Sequence, residues 1–219
     1  PPEGEVVVVG CPPLWIKRWI SCRPAMVPNR CRDGKKTLGL LYYLYGPGRA
    51  NQHTDPHLVA AWAAGVRDPA HDPGVTMTYL GALLDAPVMA LPESRRPSHH
   101  VYHVSVRVAP EDVERGNALT DEQWAMVARE MMDASGMAQF GDSMAVRWVA
   151  VRHAPDHIHI VATRVRQDGK RPEVIVGRAR MSATYMDAPR MQARARELEK
   201  RYGLRLLADG DGTAPLGLT

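Results

Sequence analysis

A chain of 219 residues is long enough for one full hydrophobic core with appendages. With 45% hydrophobic residues, charges of both signs and a net charge of +4, it reads as globular, and no apolar run approaches the ~20 residues that a membrane span requires. Its three cysteines, Cys11, Cys22 and Cys31, are odd in number and include no CxxC pair, so neither a disulfide framework nor a zinc knuckle follows and a reducing cytoplasm is the expected setting.

Residues 1–25 read unlike the remainder and are expected to be an N-terminal extension. Val6–Val9 is short enough for an edge strand, and Met26 is a candidate alternative start. No basic segment precedes Val6–Cys11, which argues against a lipoprotein signal. One domain is expected over 26–207. The tail 208–219, with three glycines, two aspartates and a proline, is expected to be disordered.

Thr37 is placed to cap a helix over 38–45 that turns Leu40, Leu41 and Leu44 to one side and stops at Gly46-Pro47-Gly48. Tyr42, Tyr43 and Tyr45 then point in different directions around it. Asp55-Pro56 is expected to open a second short helix through Trp62. A loop over 65–75, a helix over 76–84 and a linker over 87–97 follow. Residues 99–108 alternate as a strand, with Tyr102, Val104, Val106 and Val108 on the apolar face and Val101, His103, Ser105 and Arg107 opposite. His103 and Arg107 can therefore approach the same face as the histidines described next. Thr120 to Gln123 forms a capping box for a helix whose stripe is Trp124, Val127, Ala128, Met131 and Met132, ended by Gly136.

The stretch from Arg152 to Arg164 organises the chain. Ala145–His153 and the residues from His157 onward both carry strand patterns, and Ala154-Pro155-Asp156 between them is turn chemistry. An antiparallel hairpin puts His157 and His159 on one face and Ile158 and Ile160 on the other, with His153 across the turn. Three imidazoles at one tip, with Asp156 able to orient a ring, make a metal site the favoured reading over a structural imidazole cluster. Such a cup suits zinc as readily as manganese.

A turn at 167–170 leads to a last helix over 187–202, with Met191, Ala195, Leu198 and Tyr202 on its stripe and Arg190, Arg194 and Arg196 off it. Between residues 164 and 201 eleven basic residues stand against five acidic ones, an excess larger than the charge of the whole chain. Next to the histidine strand, this run is read as facing nucleic-acid phosphates through Arg164, Arg190, Arg194 and Arg196, with Arg107 and Arg152 beside the cup.

The His157-Ile158-His159 strand with a third histidine upstream resembles the signature of the HUH endonucleases, which cut single-stranded DNA with a tyrosine. Residues 38–49 (LGLLYYLYGPGR) and 53–62 (HTDPHLVAAW) resemble the plasmid mobilisation relaxases of MobA/VirD-like, actinobacterial type. The likeness extends over residues 34–206. It implies an α+β fold, an antiparallel sheet flanked by helices lying mostly on one face. It also implies a divalent metal ion (Mg or Mn, with Zn admissible) held by His153, His157 and His159. Tyr43 is the implied nucleophile, with Tyr45 as the alternative and Asp156 as an orienting carboxylate. Single-stranded DNA at a transfer origin is the implied substrate, and relaxosome and coupling proteins are the implied partners. Two other readings stay open at this point. A zinc hydrolase would account for the histidines without a nucleophilic tyrosine, and a non-catalytic DNA-binding module would need no metal.

Overall fold

The computed structural model describes residues 25–48, 53–176 and 179–205, so the Val6–Val9 strand, the rest of the extension before Ala25 and the tail 208–219 lie outside the described residues. β1 (Met26–Arg30), β2 (His57–Ala61), β3 (Val101–Val108), β4 (Val146–Ala154) and β5 (His157–Arg166) form a five-stranded sheet in the order β1-β3-β5-β4-β2. Every neighbouring pair is antiparallel. β6 (Glu173–Val176) and β7 (Ala179–Ser182) pair separately as a two-stranded ribbon.

Helices α1 (Thr37–Tyr45) and α2 (Met77–Met89) cover one face of the large sheet, where Leu41, Leu44, Leu80 and Leu84 bury against Val101, Val149, Val151 and Val161. The short α3 (Pro110–Glu114) precedes α4 (Asp121–Ser135), which with α5 (Asp187–Arg201) covers the opposite face. There Trp124, Met131, Met191 and Leu198 pack on Tyr102, Val104, Ile158 and Ile160. The architecture is the expected α+β sandwich, but its helices flank both faces rather than mostly one. The reason lies in β4 and β5. Val149, Val151 and Val161 are as apolar as Ala150, Ile158 and Ile160 on the reverse side, so both faces must be removed from water.

The capping box at Thr120 and Gln123 forms as the sequence predicts, and Gly136 closes α4 in the left-handed conformation at φ 77°. Three local expectations are corrected. His57–Ala61 is an edge strand paired with β4, not a helix, because β4 needs a partner on its outer side and that pairing outweighs the helical tendency of Leu-Val-Ala-Ala. Thr37 does not cap α1. It is the first helical residue, and its hydroxyl donates to Asp85 of α2. The linker expected from Pro87 is instead the last turn of α2. Proline there cannot bond the Leu83 carbonyl, and Arg147 of β4 supplies the missing donor through Nη1 at 2.6 Å.

The arginines of α5 also depart from expectation. Arg190 donates to the Ala134, Ser135, Ala183 and Tyr185 carbonyls and so closes the C-terminus of α4. Arg194 pairs with Glu130 at 2.8 Å, and Arg196 grips the buried Glu199 and the Met26 carbonyl. All three are committed to internal partners on the sheet face away from the histidines, where they brace α4, α5 and β1 together. A phosphate-facing role for this helix is therefore not what the structure supports.

Candidate metal centre

The β4–β5 hairpin turns through Pro155 and Asp156, with an irregularity next to the turn. Arg152 faces Ile158 and Ala154 faces His157, so His153 is the extra residue of a bulge at the hairpin tip. Backbone bonds hold that tip from both sides: Val108 N donates to the Asp156 carbonyl and Thr54 N to the His153 carbonyl, each at 2.8 Å. The bulge turns His153 toward His157 and His159, whose β5 positions place them on the α1/α2 face.

The three imidazoles converge, with one ring nitrogen from each lying within 4.8 Å of the others. The other nitrogens are already assigned on two of them. His157 Nδ1 is bonded to Asp156 Oδ1 at 2.6 Å, and His159 Nδ1 to His103 Nε2 at 2.8 Å. Both rings therefore present Nε2 to the shared space. His153 is 1% exposed, yet neither of its ring nitrogens has a partner among the described residues. A buried imidazole without a hydrogen bond is costly, and a cation shared with its two neighbours would satisfy it. The donor set fits a divalent ion.

Electrostatics agree. Burial, then repulsion from the neighbouring rings, lowers His159 to about 2 and His153 to about 4. Burial, then the nearby Arg30 charge, lowers His103 to about 4. All three are neutral near pH 7 and free to act as ligands or acceptors. Burial works to raise the Asp156 pKa, but the bond from His157 and the charges of His157 and Arg107 hold it below the usual carboxylate range. Asp156 thus stays ionised between His157 and Arg107, whose Nε lies 3.4 Å away.

Carboxylates and carbonyls that orient metal-bound imidazoles are common, and here His103 takes that place for His159. His159 can offer its Nε2 lone pair only when its Nδ1–H donates to His103. Replacing His103 by Ala is expected to weaken Mn²⁺ binding by roughly 10- to 100-fold, with partial recovery in His103→Gln, whose amide oxygen can accept the same bond. Isothermal titration with Mn²⁺ checks this. Equal affinity in wild type and His103→Ala would remove the assigned role.

α1 brings its tyrosines to this face in different states. Tyr43 is 45% exposed, and its ring meets His53 edge-on at 5.4 Å between centroids. His53 in turn lies against His153 at 3.8 Å, and its Nδ1–H donates to the Gly46 carbonyl at 2.7 Å. Tyr45 is held elsewhere. Its hydroxyl donates to Asp68 Oδ1 at 2.8 Å, and burial, reinforced by the Asp68 charge, pushes its pKa well above the usual phenol range. Tyr42 is 57% exposed, with no described ring contact.

His53 is the site residue to which the sequence assigns no role. It reaches the cup only because β2 pairs with β4 and carries the preceding segment to the hairpin tip. Arg107 flanks the cup and is largely exposed. Arg152 is on the opposite face, bonded to Asp121 at 2.6 Å, and Arg164 is at the far end of β5, bonded to Asp33 at 2.6 Å. The structure therefore brings Arg107 to the histidines, and not Arg152, Arg164, Arg190, Arg194 or Arg196.

Comparison with known families finds a match over residues 89–204 to the family described as relaxase, MobA/VirD2-like, nuclease domain. That segment contains the whole β3–β5–β4 core, all three histidines, His103 and Asp156, and it excludes the tyrosines of α1. No curated protein and no solved structure matches the chain.

Proposed function

Since the chain belongs to the MobA/VirD2-like relaxases through its nuclease domain, we propose that it nicks single-stranded DNA at a transfer origin by tyrosine transesterification. The observation that carries this reading is His153, buried with both ring nitrogens unpartnered between two imidazoles already oriented for ligation.

Tyr43 is the nucleophile in this reading. Its hydroxyl oxygen forms a bond to phosphorus while the bond from phosphorus to the 3′ oxygen breaks, leaving a 5′-phosphotyrosyl link and a free 3′ hydroxyl. The energy of the phosphodiester is retained, so religation needs no nucleotide. A divalent ion bound by His153, His157 and His159 would draw charge from the scissile phosphate. Three imidazole nitrogens favour Mn or Zn over Mg, which prefers oxygen ligands. Asp156 fixes the His157 ring and, with Arg107, keeps fixed charge at the rim where phosphate arrives. A phenol ionises only near pH ~10 in water, so its proton needs an acceptor, and His53 is an imidazole in contact with the Tyr43 ring. No helix among the described residues is long and apolar enough to cross a membrane. In this reading the substrate is cytoplasmic DNA and the partners are relaxosome and coupling proteins.

The test uses single-stranded oligonucleotides tiled across the DNA flanking the gene. With Mn²⁺, a denaturing gel should show a protein band retarded by attached DNA, together with a fragment ending in a 3′ hydroxyl. Chelator should remove both. Hydrolysis without an adduct would assign the zinc-hydrolase reading instead. Binding without any cleavage would assign a DNA-binding module.

A further inference from the structure

Two clefts of about 420 and 540 Å³ adjoin at the end of the sheet remote from the histidines, where they share Pro97 and Arg171. Arg95, Arg96, Lys170 and Arg171 line the first, with no carboxylate among its lining residues. The second adds Arg164 and a single acid, Glu173. The remaining polar lining is hydroxyl-rich, from Ser94, Ser98, Ser182 and Thr184.

Lys170 faces Asp168 at 3.5 Å and Arg164 pairs with Asp33, but other charges here differ in state from those of α5. Arg95 and Arg171 are exposed and make no ion pair among the described residues. Arg96 is fixed in place, donating to the Leu91 and Met89 carbonyls at 2.9 Å each. The loop after β1 reaches the same end of the sheet through the Gly34–Val101 bridge and the Arg164–Asp33 pair. It contributes Arg32, Lys35 and Lys36, none of them ion-paired among the described residues.

We propose that this end of the sheet is a second nucleic-acid surface, gripping the phosphate backbone of DNA that flanks the scissile site. The inference rests on the relaxase reading for the identity of the strand. The lining chemistry selects the partner. Guanidinium, ammonium and hydroxyl groups are the side chains that contact phosphate oxygens, whereas a small-molecule site is mostly apolar. No Phe, Tyr or Trp lines either cleft, and His99 of the second is the one aromatic ring in the two linings, so recognition falls mainly on the backbone and with little regard to sequence. The spacing sets a length. His159 and Val165 stand on one face of β5, six residues apart, about 20 Å at ~3.3 Å per residue. At ~3.4 Å or more per nucleotide along a strand, about six nucleotides at most separate the two places.

A length series of single-stranded oligothymidylates, from about five to about thirty nucleotides, tests this on the full chain with Mn²⁺ present. Wild-type affinity should rise beyond about six nucleotides. In the Arg95→Gln/Lys170→Gln/Arg171→Gln variant that rise should disappear, and the salt slope for the long oligonucleotide should fall by about 2, from ~0.7 per lost phosphate contact. Binding of the shortest oligonucleotide and of Mn²⁺ should be unchanged. The proposal is overturned if the long oligonucleotide binds the variant as it binds wild type, or if short and long weaken equally. It is also overturned if polyglutamate displaces the long oligonucleotide as effectively as DNA does, which would assign the surface to an acidic protein. A failure of the relaxase reading appears separately, as wild-type protein that forms no DNA adduct.

Discussion

Tyr43→Phe is expected to eliminate the covalent DNA adduct, lowering its rate by more than roughly a thousandfold, while Mn²⁺ and DNA binding stay at wild-type levels. The substitution removes one hydroxyl and keeps the ring that meets His53. Because Tyr43 is half exposed and its hydroxyl has no described protein partner, stability should change by no more than about 0.5 kcal/mol. Tyr45→Phe should show the opposite pattern. Its hydroxyl donates to Asp68 Oδ1 alongside the Ala70 amide, while the Leu58 amide at the start of β2 takes Oδ2, so its loss leaves Oδ1 with the Ala70 amide alone and costs about 1 kcal/mol without stopping cleavage. Tyr42→Phe should be neutral in both respects. Denaturing gels and mass spectrometry of the DNA-linked peptide decide among the three. Adduct formed by Tyr43→Phe and lost in Tyr45→Phe would move the nucleophile by half a turn of α1.

His159→Ala should remove tight Mn²⁺ binding and, with it, cleavage, and His157→Ala should do the same. Neither should unfold the protein, because the cup lies at the hairpin tip and not within the apolar clusters on either face of the sheet. The metal-free fold carries a further signature. His159 is lowered to about 2 and His153 to about 4, both below the ordinary imidazole value of 6.5. Protons therefore bind the unfolded chain first as the pH drops. The stability these groups contribute is present above about 6.5 and is lost as the pH falls toward 4 and below. In chelator, thermal melts should show a steeper acid loss for wild type than for His159→Ala. Identical pH profiles would mean that the imidazoles are solvated and not held neutral by burial. Saturating Mn²⁺ should raise the wild-type melting temperature and leave that of His159→Ala unchanged.

The central hairpin could be read from residues alone because its evidence is local: alternation, a proline turn and three histidines within seven positions. The same holds for α4, whose cap and stripe are written into consecutive residues. What stayed hidden depends on partners far away in the chain. Nothing in His57–Ala61 announces an edge strand, since that identity is conferred by β4. Pro87 looks like a terminator until Arg147, sixty residues on, takes up the carbonyl it leaves free. Arg190, Arg194 and Arg196 form a basic helix face in the sequence, and although Glu197 and Glu199 of the same helix are among their partners, Glu130 and the backbone carbonyls come from α4, β1 and the turn before α5. Charge counts see the cations and not the pairing. His53 is illegible for the same reason, because its contact with His153 exists only once β2 has docked.

The strand order carries a kinetic consequence. β4 and β5 are joined by a two-residue turn, so the three imidazoles meet through a contact of very short loop closure. Tyr43 lies more than a hundred residues upstream, on a helix between strands that end on opposite edges of the sheet. On the proposed mechanism, the histidine hairpin that would hold the ion is thus an early, local unit, and the helix that would supply the nucleophile is a late, non-local one. Partial opening should follow the same division. Amides of α1 are expected to exchange with solvent by sub-global opening while those of β4 and β5 wait for global unfolding. If the proposed mechanism holds, that open state would keep metal and strand but be unable to cut, so protection of α1 measured by hydrogen exchange would report the fraction of molecules armed at any moment.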